Sequence, residues 1–576
     1  MRSMAAAVFC ILFATGLELA QTRPKVIFTD VLPQSGITFR HQNGASAEKY
    51  YIETMGAGCA LIDYDNDGWL DIYFVQGSPT PAFHPDKPLR NALYHNNHDG
   101  TFTDVTEKAG VPGNGAYGMG VSTGDFDNDG YDDIFIANFG SNQLYHNNGN
   151  GTFTDVTEKA GMKSNVWSIV GVWFDYDNDG WLDLYVVNYL DFTYQTNLIC
   201  GESRDPIKGT TLGMGHRGYC HPDHYNGVPN FLYRNDHNGT FTEVGAKAGI
   251  VLPESKGMGA VAGDFNGDGL MDIFVCNDSV RNFLFKNNGN GTFSEIGVTS
   301  GTGFDENGKP HANMGADMAD YDGDGRLDLI AGSLDNEYNT LYRNLGHDIF
   351  QDVTMTAGLG IVLKNFTVGF APVFVDYDND GWPDVFVANG HLIDNIELSK
   401  PYVRYAQPKY LFHNTGKGTF VDVTSASGAA LSERRVSRGV AIGDIDNDGD
   451  LDLVVSGCNE GPQLLRNDGG NSRSSLELKL AGTKSNRNGI GAQIRYQLGD
   501  RTVYDQVYGG RSYASACDYK VFAGMNGLPE IRQLEIRWPS GVVDKIERLA
   551  AGAIYTVKEG SGVAGRKPFT RGFAAR

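Results

Sequence analysis

Positive charge is what this sequence is short of. Its 47 lysines and arginines stand against 70 aspartates and glutamates, a formal net charge of −23. That balance argues against nucleic acid as a partner, because phosphate binding needs a basic surface. Long apolar runs are also scarce. Met1-Arg2 is followed by an uncharged run from Met4 to Leu17, 14 residues, which falls short of the roughly 20 that a bilayer needs. It reads as the core of a signal peptide over residues 1–20, and no later stretch is long enough to span a membrane. The expectation is a protein without a membrane span, secreted or periplasmic. Cysteine is sparse, with 7 in 576 residues, and no spacing resembles a zinc site. Cys200 and Cys220 share one long connection and could staple it, since export permits disulfides. Cys59, Cys276 and Cys458 fall in or beside strand-like segments and read as buried thiols. No Arg-Gly-Asp occurs, so the chain displays no obvious integrin ligand.

What the sequence has in abundance is one nine-residue pattern, D-x-D-x-D-G-x-x-D. Its oxygen-bearing positions 1, 3, 5 and 9 are Asp63, Asp65, Asp67 and Asp71 in the first copy, then Asp125, Asp127, Asp129 and Asp133, then Asp175, Asp177, Asp179 and Asp183. The fourth copy, Asp264, Asn266, Asp268 and Asp272, carries the single asparagine. Asp320, Asp322, Asp324 and Asp328 follow, then Asp376, Asp378, Asp380 and Asp384, and last Asp444, Asp446, Asp448 and Asp452. Side-chain oxygens at these positions, with a backbone carbonyl at position 7, make a cage that suits a hard cation, Ca²⁺ above all. The glycine at position 6 permits the bend around the ion. An EF-hand would need a carboxylate at position 12 and flanking helices. Position 12 here is Phe74, Ile136, Val186, Val275, Ala331, Val387 or Val455, always apolar. These are therefore read as calcium loops at hairpin tips, up to seven ions in a structural role.

Two other elements keep step with the loops. Phe-x-Asp/Glu-Val/Ile begins at Phe28, Phe102, Phe153, Phe241, Phe293, Phe350 and Phe420. Leu-aromatic-x-Asn appears as Leu93-Tyr94-His95-Asn96, Leu144-Tyr145-His146-Asn147 and Leu232-Tyr233-Arg234-Asn235, and continues at Leu284, Leu341 and Leu411 before a weaker form at Leu464. A Gly/Ala-rich strand into the loop, a strand out of it, the Leu-aromatic strand and the Phe strand make four per unit. Successive loops are 62, 50, 89, 56, 56 and 68 residues apart. Four short strands at this period are the signature of a propeller blade. The expectation is an all-β, seven-bladed β-propeller over residues 25–470. Its orphan first strand at Phe28 would complete the last blade and hide the sheet edges.

The loops and their flanks resemble the FG-GAP/VCBS repeats of integrin-α-like propellers, over roughly residues 25–470. In that family the loop carboxylates bind Ca²⁺, which the resemblance carries over to each aspartate named above and to Asn266. From Ser474 to about Gly560, Gly489-Ile490-Gly491-Ala492 and Trp538-Pro539-Ser540-Gly541 resemble the ASPIC/UnbV domain that follows the propeller in cartilage-acidic-protein-like chains. This implies a small β-rich domain over residues 474–560. Residues 561–576, with Arg566, Lys567, Arg571 and Arg576, read as a flexible basic tail.

If the hairpin loops occupy one face, the long insertions, 36–57, 77–90, 189–229, 301–312 and 389–408, lie on the other. Loops lengthened on a rigid scaffold are where binding is usually carried. His221, Asp223, His224 and His391 map there as a candidate second metal or polar-ligand site. Two other motifs fail their context. Gly120-Val121-Ser122-Thr123-Gly124 matches a nucleophile elbow but runs straight into an aspartate loop instead of turning into a helix. Gly113 to Gly118 matches G-x-G-x-x-G without the strand-turn-helix setting. The expected function is a protein- or glycan-binding module, with an extracellular protein or a surface glycan as partner. The alternatives are an enzyme with its site on the insertion face, and a scaffold presenting the C-terminal domain.

Overall fold

The computed structural model describes residues 25–201, 216–360, 366–570 and 572. The signal-peptide reading of residues 1–20 lies outside them, as does the very end of the basic tail. Among the described residues no helix is long and apolar enough to cross a membrane.

Each loop interval folds as an antiparallel meander of four strands. The second, for example, runs Tyr117–Gly124, Asp133–Gly140, Gln143–Asn147 and Phe153–Asp155. The first strand of each is buried, and glycine recurs in it where a neighbouring backbone comes close: a Cβ on Gly120 would lie 2.2 Å from the Ile169 carbonyl. The inner strand of meander three also pairs with the end of the second strand of meander two, at Val166–Gly140 and Trp167–Phe139. The inner strands Cys59–Ile62, Tyr117–Gly124, Val166–Phe174, Gly257–Gly263, Ala316–Ala319, Gly369–Val375 and Ser437–Gly443 touch in cyclic order, the last against the first. The strand Ile27–Asp30 pairs antiparallel with Gln463–Asp468, so the N-terminus supplies the outer strand of the last sheet.

One asparagine per meander fastens the ring. In Asn147, whose side chain is fully buried, Nδ2 donates to the Tyr64 carbonyl of the preceding meander at 2.8 Å. The same bond recurs from Asn235 to Phe126, Asn287 to Tyr176, Asn344 to Phe265, Asn414 to Tyr321 and Asn467 to Tyr377. Asn96 closes the circle on Ile445 at 3.0 Å. These are the asparagines of the Leu-aromatic-x-Asn motif, and each satisfies a carbonyl that would otherwise be buried unpaired.

The C-terminal part is two four-stranded sheets and sits on the loop face of the propeller. Lys479 lies 3.5 Å from Asp63, Arg473 pairs with Asp378 at 2.9 Å, and Gln493 donates to Asp264 at 2.6 Å. An extended segment, residues 509–518, runs from it into the propeller axis and bonds to the inner strands on several sides. Trp173 N–H donates to Gly509 O, Ser512 N–H to Ala316 O, Val121 N–H to Ala514 O, Ala516 N–H to Cys59 O and Asp518 N–H to Ile442 O, at 2.8–3.2 Å. Arg511 enters with it and pairs at 2.5 Å with Asp317, a carboxylate without solvent exposure. Burial is repaid here by a charge-assisted fork.

The basic tail expected from residue 561 is corrected in part. Gly562–Pro568 is a strand paired antiparallel with Ala553–Lys558, and Thr570 N–H donates to Asn447 O at 2.6 Å. Its charge is the physical reason: Lys567 lies over the Trp69 ring and donates to the Gly68 carbonyl, against an acidic loop.

Candidate functional sites: the aspartate loops and an axial cavity

All seven aspartate loops have one geometry. The position-1 carboxylate closes the loop on itself: Asp125 accepts from Asp129 N–H at 3.1 Å and from Gly130 N–H at 2.7 Å. The position-9 carboxylate ties the loop to the sheet. Asp133 accepts from Phe126 N–H at 3.0 Å and from Asn147 N–H at 2.7 Å. Asp71, Asp183, Asp272, Asp328, Asp384 and Asp452 accept from the equivalent amides. Each carboxylate oxygen keeps a second lone pair for another partner. Position 3 is different. Oδ1 of Asp65, Asp127, Asp322 and Asp378 is enclosed and has no hydrogen-bond partner.

Ligand atoms of Asp63, Asp65 and Asp67, and of Asp125, Asp127 and Asp133, lie within 4.8 Å of one another. Burial, with neighbouring carboxylates adding to it at Asp125, pushes Asp71 and Asp133 up to about 7 and Asp125 up to about 8. Enclosed, unpartnered oxygens among carboxylates that burial disposes to retain protons fit a hard divalent cation, and in three loops a histidine, His95, His146 or His413, belongs to the same cluster.

The sequence reading missed what stands over these loops. The variable residue of Leu-aromatic-x-Asn leans into the cage. His95 Nδ1 lies 3.2 Å from Asp71 and 3.6 Å from Asp65. His146 lies 3.3 Å from both Asp127 and Asp133, and His413 lies 3.2 Å from Asp384. Arg343 is 2.6 Å from Asp322. The signal was there, because strand alternation puts this residue on the loop side whenever the following Asn points between meanders.

The loops also hook to one another. The position-4 asparagines Asn66, Asn128, Asn178, Asn379 and Asn447 sit at φ of 54–60° and donate to the position-6 glycine carbonyl of the next loop around the ring. Two loops have Gly267 and Gly323 at this position and lack the hook.

On the opposite face three of the insertions, 36–57, 189–229 and 389–408, meet around a cavity of about 210 Å³. The disulfide Cys200–Cys220 holds one wall, with an S–S distance of 2.03 Å. Of the four candidates on this face, His221 and His391 line the cavity, while Asp223 and His224 do not. His391 is 2% exposed and its Nδ1 accepts from Ile393 N–H at 2.9 Å. The proton of the neutral ring is therefore on Nε2, which has no hydrogen-bond partner, the Asp335 carboxylate being 3.9 Å away. His221 Nδ1 likewise accepts, from Asp223 N–H at 3.3 Å. Both rings thus offer an N–H, and neither offers a free Nε2 lone pair to a metal.

The acceptors in the cavity were not foreseen. Asp278 accepts from the Tyr189 hydroxyl and from Ser279 at 2.9 Å. Glu337 accepts through Oε2 from Ala312 N–H at 2.9 Å, and burial pushes its carboxyl up to about 7. Asp335 pairs with Lys400 at 2.6 Å; burial works against its charge, but contacts with His391 and Lys400 hold it below the usual range. Tyr51 and Tyr219 supply aromatic walls. Asp278 follows directly on the strand Asp272–Asn277, and that position just past a second strand was the available signal.

Comparison with known proteins agrees with this architecture. The model described as FG-GAP-like repeat matches residues 63–136, 125–186, 222–275, 264–331, 320–387 and 402–455, stretches that contain every aspartate loop. The model described as ASPIC and UnbV matches residues 482–564. Cartilage acidic protein 1 of Homo sapiens is 28% identical over 335 residues, 55% of this chain and 46% of that protein. The Mus musculus protein is 25% identical over 316 residues, 52% of this chain and 44% of that protein. The match thus spans less than half the length of these relatives. Among solved structures, an Agrocybe aegerita lectin that recognises non-reducing terminal N-acetylglucosamine aligns at 19% identity and a TM-score of 0.34, covering 64% of this chain and 79% of the lectin. That likeness is too distant to bear on a ligand. The repeats, their loops and the domain that follows them place the chain in the FG-GAP repeat family, in the branch carrying a C-terminal ASPIC/UnbV domain.

Proposed function

We propose that the chain is an exported propeller of seven blades whose aspartate loops hold Ca²⁺ structurally and whose insertion face binds an extracellular protein or a surface glycan. One observation carries the reading. The C-terminal domain covers the loop face, whereas the insertion face carries a cavity with Asp278, Asp335, Glu337 and His391 in its walls. The metal half is supported by the enclosed, unpartnered position-3 oxygens. With free Ca²⁺ at ten times Kd each site adds about 1.4 kcal/mol, so several sites together rival the net stability of a domain. Elemental analysis after dialysis is expected to find several calcium ions per chain, and EDTA is expected to lower Tm by many degrees. A calcium-free protein with an unchanged Tm refutes the metal half. Capture on a glycan array or from extracellular protein, lost when the insertions are shortened, tests the binding half.

A second reading, an enzyme on the same face, is favoured by one observation. Glu337 and Asp335 share the cavity, and their surroundings push one carboxyl up and hold the other down, the division of labour of an acid and a base. Turnover of a glycoside that is abolished by E337Q would establish it.

A further inference from the structure

We propose that the axial cavity takes one uncharged sugar ring, recognised through its hydroxyl groups. This rests on the binding reading above and names the ligand class of that site.

His391 is almost wholly buried, and its Nε2–H makes no hydrogen bond, the Asp335 carboxylate standing 3.9 Å away. A buried donor left this way costs free energy that a ligand acceptor recovers. Arg438, fully buried, fixes the backbone beneath it by donating to His391 O at 3.3 Å and to Thr54 O at 2.8 Å. The imidazole is therefore held in place. Facing the same space are acceptors with capacity to spare. Glu337 uses Oε2 on backbone amides, leaving Oε1, and Asp278 retains lone pairs beyond its bonds to Tyr189 and Ser279.

A ligand for this cavity must therefore accept one hydrogen bond and donate others within a few ångströms. A hydroxyl does both at one atom. A cation has nothing to offer the His391 N–H. A carboxylate or zwitterion would need a free positive charge, and Lys400 is already committed to Asp335 at 2.6 Å. Burial also holds His391 below the ordinary histidine range, so its ring stays neutral. The volume, about 210 Å³, lies below the ~300–1,000 Å³ of sites for drug-sized ligands and fits a single ring.

The test uses the full chain and a panel of neutral methyl glycopyranosides, read by saturation-transfer NMR and by titration. At least one glycoside is expected to bind saturably. H391A and E337Q are each expected to weaken it about tenfold, the value of one hydrogen bond, with Tm unchanged. E337Q is the sharper variant: its amide can still accept from Ala312 N–H but turns a donor towards the ligand. Saturable binding that both variants leave unaltered overturns the proposal. So does a cavity that takes glycine or a small amine and no glycoside. If the variants still capture a glycan or protein partner at full strength, the cavity assignment falls and the binding-module reading stands. If neither glycosides nor any partner is retained by the unaltered chain, both fall.

Discussion

A single aspartate shows how the loops work. Asp133 is completely buried, accepts two backbone N–H bonds and is pushed up to about 7, chiefly by burial. Asp125 is pushed up to about 8 and Asp71 to about 7, from an ordinary 3.8. Without metal, the folded chain thus retains protons that the unfolded chain has released between about pH 4 and 8. Stability must then fall as pH rises through that window. A divalent cation favours the ionised form and cancels the slope. In EDTA, Tm is expected to drop steadily from pH 5 to 8, and excess Ca²⁺ is expected to remove the drop. An EDTA curve that rises over the same interval would contradict the account. The loop carboxylates were legible residue by residue, because the D-x-D-x-D-G-x-x-D spacing recurs with a single departure at Asn266. His95, His146 and Arg343 were harder to see, because their position before the motif asparagine is constant while the residue type there is not.

At the scale of the element, two contacts can be weighed separately. Gly267 has φ of +78° and open space where a Cβ would stand, while five other loops use asparagine there to hook the next loop. G267N is expected to add about 0.5–1 kcal/mol by supplying a hook to the Gly325 carbonyl. Urea denaturation measures it. G323N is expected to add nothing, because its Cβ would meet the Trp382 ring at 3.0 Å. In the segment at the axis, R511M strips the buried Asp317 of its partner and is expected to cost about 3–5 kcal/mol. Adding D317N should recover much of that loss, a coupling that a double-mutant cycle reads directly. None of this segment was legible. Residues 509–518 carry no repeat, and their strand-like bonding is to inner strands far earlier in the chain, from Cys59 to Ile442.

For the whole molecule, the propeller was readable because the same solution is written several times over. Seven in-phase copies of loop, Leu-aromatic strand and Phe strand leave little freedom of fold, and the pairing of Ile27–Asp30 with Gln463–Asp468 follows from their order. The C-terminal domain was readable as a unit but not as a neighbour. Sequence periodicity reports on local repetition, and the contacts of Lys479, Arg473 and Gln493 with the loops are single, unrepeated events. The strand at Gly562–Pro568 escaped notice for a similar reason: its basic residues resemble a solvated tail until the acidic face beneath them is known.

The segment lodged in the axis also bears on how the molecule reaches its final state. The inner strands meet a partner that is synthesised after every one of them. A chain still being made, or one cut short before residue 509, would have its circle of sheets assembled around an empty shaft. These bonds can form only once every inner strand has been made, and losing the segment removes them from the centre of the ring and not from its rim.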